Sequence, residues 1–182
     1  MSMSSTPMVL VTGGDKGISL AIVHDLCWQF LACYLTCCLP GHTAATTPFH
    51  IQAEVTMKTN FFGSRVVCAE LLPLIKPQGR VVNVSSSVSV SSLKKGSPEL
   101  QQKFRSETIT EEELVGLMNK FVEDTKNGVH KKEGAPDNIN GVRKIGVTVL
   151  SGIQARKLSG QRGRDKILLN ACCPGWVRTD KG

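Results

Sequence analysis

The sequence predicts an α/β fold with a mostly parallel sheet, because strand-like apolar runs alternate along the chain with segments of helical pattern. Three such runs stand out, at residues 8–11, at Arg80–Val84 and at residues 167–171, each followed by a turn rich in glycine, serine or proline. The stretches between them are long enough for the helical crossovers that parallel strands need. With 182 residues, 41% hydrophobic and 20% charged, the chain suits one soluble domain with a core of its own and no need of a metal or disulfide staple.

The first strand runs into Thr12-Gly-Gly-Asp-Lys-Gly17-Ile18-Ser19, and residues 20–30 follow with a helical pattern: strand, glycine turn, helix. Residues 26–39, LCWQFLACYLTCCL, carry no charge, yet they fall short of the roughly 20 residues a membrane helix needs, so a buried element is expected. Residues 51–75 are free of proline until Pro73 and predict a long helix closed by Leu71-Leu-Pro-Leu-Ile75. Arg80–Val84 then predicts a buried strand leading into Ser85-Ser-Ser87.

Residues 91–134 are polar and charged. Thr110-Glu-Glu-Glu113 reads as a capping box, and Leu114, Leu117, Met118, Phe121 and Val122 fall at i, i+3, i+4, i+7 and i+8, the stripe of an amphipathic helix laid on a core. Gly134-Ala-Pro-Asp137 ends that segment, residues 145–158 predict a further helix, and residues 167–171 a last buried strand before Cys172-Cys-Pro-Gly175. No internal repeat or low-complexity tract interrupts the chain.

Seven cysteines come with a start, Met1-Ser-Met-Ser-Ser-Thr-Pro7, that has neither the basic nor the apolar region of a secretory leader, so reduced cytosolic thiols are expected. Cys33, Cys37, Cys38 and His42 have no second ligand pair at finger-like spacing and lie in an apolar stretch; core thiols are the better reading, and no metal site is expected. The net charge of +7 invites a nucleic-acid reading, but the lysines and arginines are scattered and no stacking motif occurs among the two tryptophans, one tyrosine and six phenylalanines. A mildly basic surface serves a polyphosphate cofactor equally well.

A glycine turn between strand and helix lets a pyrophosphate approach backbone N–H groups at the positive end of the helix dipole. Gly13 and Gly17 alone would be a weak signal, since such turns also merely reverse a chain. They are followed in order by Thr59-Asn60-Phe-Phe-Gly63, Val81-Val-Asn-Val-Ser-Ser86, Gly141-Val-Arg-Lys144 and Pro174-Gly-Trp-Val-Arg-Thr179. This series resembles the monomeric NADPH-dependent carbonyl reductases of the short-chain dehydrogenase family. The resemblance covers nearly all of residues 8–180 except 31–46, and the helical segment before Lys144 is similar to one those enzymes carry.

The resemblance implies a Rossmann-like, doubly wound parallel sheet in a single dinucleotide-binding domain. It also implies roles. Thr12, Gly13, Asp15, Lys16, Gly17 and Ile18 match the cofactor loop, with Lys16 placed to favour the 2′-phosphate of NADPH. Pro174, Val177 and Thr179 match the loop at the nicotinamide end. Ser86 matches the serine that hydrogen-bonds the substrate carbonyl, Lys144 the lysine that bonds the nicotinamide ribose and lowers the pKa of a tyrosine, and Asn60 the asparagine that supports that lysine. Each residue taken alone has a plainer alternative: a turn serine, a solvated lysine, an asparagine at a kink.

Three departures qualify these implications. The family's acid, a tyrosine, stands four residues before the lysine on one helix face, and here that position is Asn140; the one tyrosine, Tyr34, is remote in sequence. An amide has no proton to give at neutral pH. The stretch from Thr12 to Thr47 holds little more than the roughly 30 residues of one βαβ unit, so several family strands, and with them the adenosine contacts, are expected to be missing. The chain also stops soon after Thr179, which reads as a C-terminal truncation, and Ser19 replaces the loop's third glycine.

The expectation is therefore an abbreviated α/β carbonyl reductase that binds NADPH and reduces aldehyde, ketone or quinone carbonyls with strongly impaired activity. The alternative is a catalytically inert relative that keeps a nucleotide-binding or interaction role. A cytoplasmic monomer with a small-molecule carbonyl partner, and with neither nucleic acid nor membrane, completes the expectation. Residues 31–38 are expected to fill part of the space left by the missing strands, since exposed backbone donors must be satisfied.

Overall fold

The computed structural model of the chain describes residues 8–12, 21–23, 25, 26, 32–36 and 46–175. They fall in two compact units, one holding the N-terminal strands and the other residues 46–175. Among the described residues no helix is long and apolar enough to cross a membrane.

In the first unit β1 (Met8–Thr12) and β2 (Ala32–Thr36) pair in parallel, with Met8 opposite Ala32 and Thr12 opposite Thr36. Residues 21–23, 25 and 26 are helical, so the order is strand, helix, strand. The uncharged segment at 31–38 thus contributes a strand that satisfies one edge of β1.

The second unit opens with one continuous helical path made of α1 (Phe49–Met57), a π-helical stretch (Lys58–Phe62), α2 (Gly63–Leu71) and a closing 3₁₀ turn (Leu72–Leu74). Pro73 sits in that last turn, as the sequence predicts. Then come β3 (Arg80–Val84), α3 (Val88–Leu93), α4 (Pro98–Arg105), α5 (Glu111–Lys126), α6 (Ile139–Arg162) and β4 (Leu168–Cys172). Each of the three longer starts is capped by a side chain. Ser97 accepts from the Leu100 amide at 3.3 Å, Thr110 and Glu113 form the reciprocal capping box, and Asn138 accepts from the Gly141 amide at 2.9 Å.

The core lies where α1, the π stretch, α5 and α6 meet: Ala53, Met57, Phe61, Leu114 and Met118 are fully buried there, with Leu150 beside them. Of the stripe on α5, Leu114, Met118 and Phe121 are buried, and Leu117 and Val122 pack against them from the rim. At the far end of α6, the Arg162 guanidinium donates to the carbonyls of Leu72 (3.2 Å), Pro73 (3.3 Å) and Ile75 (2.7 Å). These carbonyls lie at and just past the end of the helical path, so the cation both caps that end and fixes α6 across it.

β3 and β4 pair in parallel, Arg80 opposite Leu168 and Val84 opposite Cys172. Two sequence expectations are corrected here. The runs at 8–11, Arg80–Val84 and 167–171 do not share one sheet: the strands form two two-stranded sheets, β1 with β2 and β3 with β4. The short crossover after β1 delivers residues 32–36 as its neighbour, and backbone pairing follows the strand so delivered. Nor are β3 and β4 buried on both faces, since Val82 is 59% and Leu168 50% exposed while Leu169 is 6%. Asn83, alternate to Val82, donates to Ser151 of α6 at 2.9 Å, so α6 covers one face of the pair. Among the described residues the chain is mostly helical, with two small parallel sheets.

Candidate functional site

The carboxyl ends of parallel strands are where open α/β folds place ligands. Here that edge is built from Val84 to Ser87 after β3, from Cys172 to Gly175 after β4, and from the first turns of α6. Ser85 joins the three parts. Its amide donates to the Cys172 carbonyl at 2.7 Å, and its hydroxyl meets the Lys144 carbonyl (3.2 Å) and the Thr148 hydroxyl (2.6 Å) on α6.

Lys144 Nζ donates to the Val84 carbonyl at 2.6 Å, so the cation sits against the last residue of β3. Burial first, and the neighbouring Arg143 cation second, bring its amine down to about 8, against a smaller upward pull from Cys172 and Cys173. Among the described residues no carboxylate pairs with it. Ser86 lies two residues past Val84, half-buried, with its hydroxyl accepting from the Val88 amide at 3.3 Å. On the β4 side the exposed Cys173 thiol is held below its ordinary value by the backbone amide of Gly175 and then by the amide and hydroxyl of Ser87. Gly175 itself turns through φ +79°, a left-handed conformation that glycine adopts without strain.

Asn140 stands one turn before Lys144 on α6, exposed, and its carbonyl oxygen accepts from Arg143 Nε at 2.7 Å. The amide is therefore held to a cation on its own helix. Asn60 lies in the π stretch, where its backbone carbonyl accepts from the Ser64 hydroxyl at 2.9 Å. No hydrogen bond joins its side chain to Lys144 among the described residues. The π turn does bring the neighbouring Phe61 onto α6 at Gly146, where an added Cβ would lie 2.8 Å from the ring. Such insertions recur at functional sites because they re-aim a helix face.

Ser86 thus follows β3, Pro174 follows β4, and Lys144 reaches the last residue of β3, while Asn140 stays exposed on α6 with its side chain on Arg143. Thr12 closes β1 in the first unit. Gly13, Asp15, Lys16, Gly17, Ile18, Val177 and Thr179 lie outside the described residues, as do Cys37, Cys38 and His42. Among the described residues no group of three His, Cys, Asp or Glu could hold a metal ion.

No family model matches the chain. Individual relatives do. It is 57% identical over 232 aligned positions to human carbonyl reductase (NADPH) 1, in a match that takes in 97% of this chain and 84% of the relative. The chain belongs to the NADPH-dependent carbonyl reductase family. It is 86% identical to the bovine carbonyl reductase (NADPH) 1 over 140 residues, which are 77% of this chain and half the length of that relative. The 232 positions of the human match exceed the 182 residues of the chain, so the relative carries residues that this carbonyl reductase relative lacks. Salutaridine reductase from Papaver somniferum has a similar structure, with a TM-score of 0.73 at 19% identity over 95% of this chain and 87% of that one. The fold is therefore that of the short-chain dehydrogenases, in shortened form.

Three contributors to the site were not singled out from the carbonyl reductase motifs. Ser85 and Thr148 lock α6 to the strand end, and Gly141 lets α3 approach α6, since a side chain there would collide with Ser92. A run of three serines gives no sign of which hydroxyl turns inward, so Ser85 could not be told from its neighbours.

Proposed function

We propose that this chain is a carbonyl reductase of reduced power, transferring hydride from NADPH to aldehyde, ketone or quinone carbonyls. The observation that supports the reading best is the position of Lys144 on the carbonyl of Val84, beside Ser86, with an amide at the place of the acid one turn earlier.

The residues at this edge fit the nicotinamide end of the cofactor: a half-buried cation with no carboxylate partner among the described residues suits ribose hydroxyls. Lys144 would hold that end, with Pro174 after β4; the cofactor roles of Thr12, Lys16 and the rest of the glycine loop, and of Val177 and Thr179, rest on the sequence resemblance alone. Bound NADPH would supply the hydride. Ser86 would donate to the substrate oxygen and polarise the carbonyl, and Lys144 would stabilise the negative charge gathering on that oxygen. A supporting role for Asn60 rests on the sequence resemblance alone, since Lys144 is held here by the Val84 carbonyl. What is missing is the proton: the Asn140 amide cannot release one, and general acid catalysis of this kind typically contributes about 10²- to 10⁴-fold. Water is left to protonate the alkoxide, which accounts for the low turnover proposed.

A second reading, an inert relative that keeps a nucleotide-binding or interaction role, is favoured by the same Asn140 and by the shortened match to the human protein. NADPH titration followed by addition of a quinone separates the two. Saturable binding with slow oxidation supports the reductase; binding without oxidation, or no binding at millimolar NADPH, overturns it.

A further inference from the structure

Lys144 combines features that hydride transfer alone does not demand. One N–H is spent on the Val84 carbonyl at 2.6 Å, which orients the amine, and no carboxylate among the described residues fixes it as an ammonium ion. One turn earlier Asn140 is tied to Arg143, so no phenol is present to share the amine's proton. The charged and titratable groups facing it are Arg143 on its own helix and the Cys172 and Cys173 thiols at the end of β4.

We propose that Lys144 is a nucleophile toward small aldehydes and activated ketones, condensing with them to an imine at the carboxyl edge of β3 and β4. The inference rests on reading this edge as the carbonyl site, but not on NADPH turnover. The neutral amine attacks the carbonyl carbon, and the π pair moves to oxygen, which takes a proton from water or from Ser86. The nitrogen, positively charged after attack, returns one proton to that donor and leaves a neutral carbinolamine, whose hydroxyl takes up a second proton and departs as water as the nitrogen pair forms the C=N bond and nitrogen gives up its remaining proton. The sum is carbonyl plus amine to imine plus water, with nothing oxidised or reduced.

Selectivity follows from the surroundings. Lys94, Lys95 and Lys131 are exposed lysines on other parts of the second unit. An amine brought down from 10.5 to about 8 holds on the order of 10²-fold more free base at neutral pH. Its intrinsic nucleophilicity falls somewhat in compensation. Lys144 Nζ is held at the end of β3 by the Val84 carbonyl, two residues before the Ser86 hydroxyl in the chain, so the condensation is expected to favour this lysine by tenfold or more.

The test uses the full chain with benzaldehyde and sodium cyanoborohydride at pH 8, without NADPH. The reductant converts any imine into a stable secondary amine that peptide mapping locates. The expected result is labelling at Lys144 at least tenfold above Lys94, Lys95 and Lys131, a rate that climbs as pH rises through 8, and loss of the adduct in Lys144→Arg with the other sites unchanged. Equal labelling of Lys144 and the surface lysines overturns the proposal. Mapping of the unmodified chain decides this even if Lys144→Arg fails to fold. A chain that binds NADPH but leaves Lys144 unlabelled overturns the imine chemistry alone. One that is labelled but binds no NADPH sustains the imine chemistry and overturns the reductase.

Discussion

Lys144 donates to the main-chain carbonyl of Val84 at 2.6 Å, tying the opening of α6 to the last residue of β3. Burial, and then the neighbouring Arg143 cation, make the folded chain hold the proton of this amine less tightly than the unfolded chain does. Between about 8 and 10.5 the unfolded state binds the extra proton, so this group makes stability rise with pH across that window. The cost of the buried charge is present below 8 and disappears above it. Urea unfolding at pH 7.5 and at pH 9.5 is expected to show a more positive pH slope for the native chain than for Lys144→Met; equal slopes would contradict the burial of this amine.

Two glycines of α6 are expected to respond oppositely to the same substitution. At Gly146 a Cβ would stand 2.8 Å from a ring carbon of Phe61 and 3.0 Å from the Met118 sulfur, both fully buried. Overpacking of this kind costs about 1–3 kcal/mol, which exceeds the helix-propensity gain of up to about 1 kcal/mol. Gly152 has nothing within 4 Å of such a Cβ. Gly146→Ala should lower the urea midpoint, and Phe61→Leu in that background should recover part of the loss, whereas Gly152→Ala should raise the midpoint.

The capping box on α5 offers a third check. Thr110 accepts from the Glu113 amide at 3.1 Å, and Glu113 reaches back to the Thr110 amide at 2.8 Å. Thr110→Ala is expected to cost about 1 kcal/mol in urea unfolding, and Thr110→Ser much less. If the two substitutions proved equally costly, the capping role would be wrong.

Local chemistry made this box, the stripe on α5 and the Pro73 stop legible in the sequence, because each depends on residues a few positions apart. Long-range pairing was not. Residues 32–36 carry no alternation that marks them as the partner of β1, and nothing in Arg80–Val84 says that only one of its faces would be covered. The π turn at Asn60 comes from fitting Phe61 over Gly146, a packing event with no local code. At the site, the sequence suggested Ser86 beyond a strand end and Lys144 aimed at the same crevice, but the pairing of Asn140 with Arg143 and the inward turn of Ser85 needed coordinates.

NADPH is expected to bind weakly. The shortened N-terminal part leaves few residues for the adenosine half, and each tenfold loss in Kd corresponds to about 1.4 kcal/mol, so two or three lost contacts carry the affinity to the upper micromolar range or beyond. Lys16→Ala should weaken binding further by removing charge opposite the 2′-phosphate, and should do so less for NADH. Fluorescence titration checks this; low-micromolar binding indifferent to Lys16→Ala would contradict it.

The reading proposed for the site is that it keeps polarising and orienting groups in Ser86 and Lys144 and lacks an acid at Asn140. Rates of NADPH oxidation at saturating quinone, compared between the native chain and Asn140→Tyr, test it most directly. A phenol at that position would again stand one turn before Lys144, whose charge would lower its pKa. The predicted result is slow oxidation by the native chain and a gain of at least tenfold in Asn140→Tyr, part of the roughly 10²- to 10⁴-fold that a general acid contributes. Adding Ser86→Ala to Asn140→Tyr should remove most of the gain. Native turnover equal to that of Asn140→Tyr would contradict the claim, because another group would then be delivering the proton.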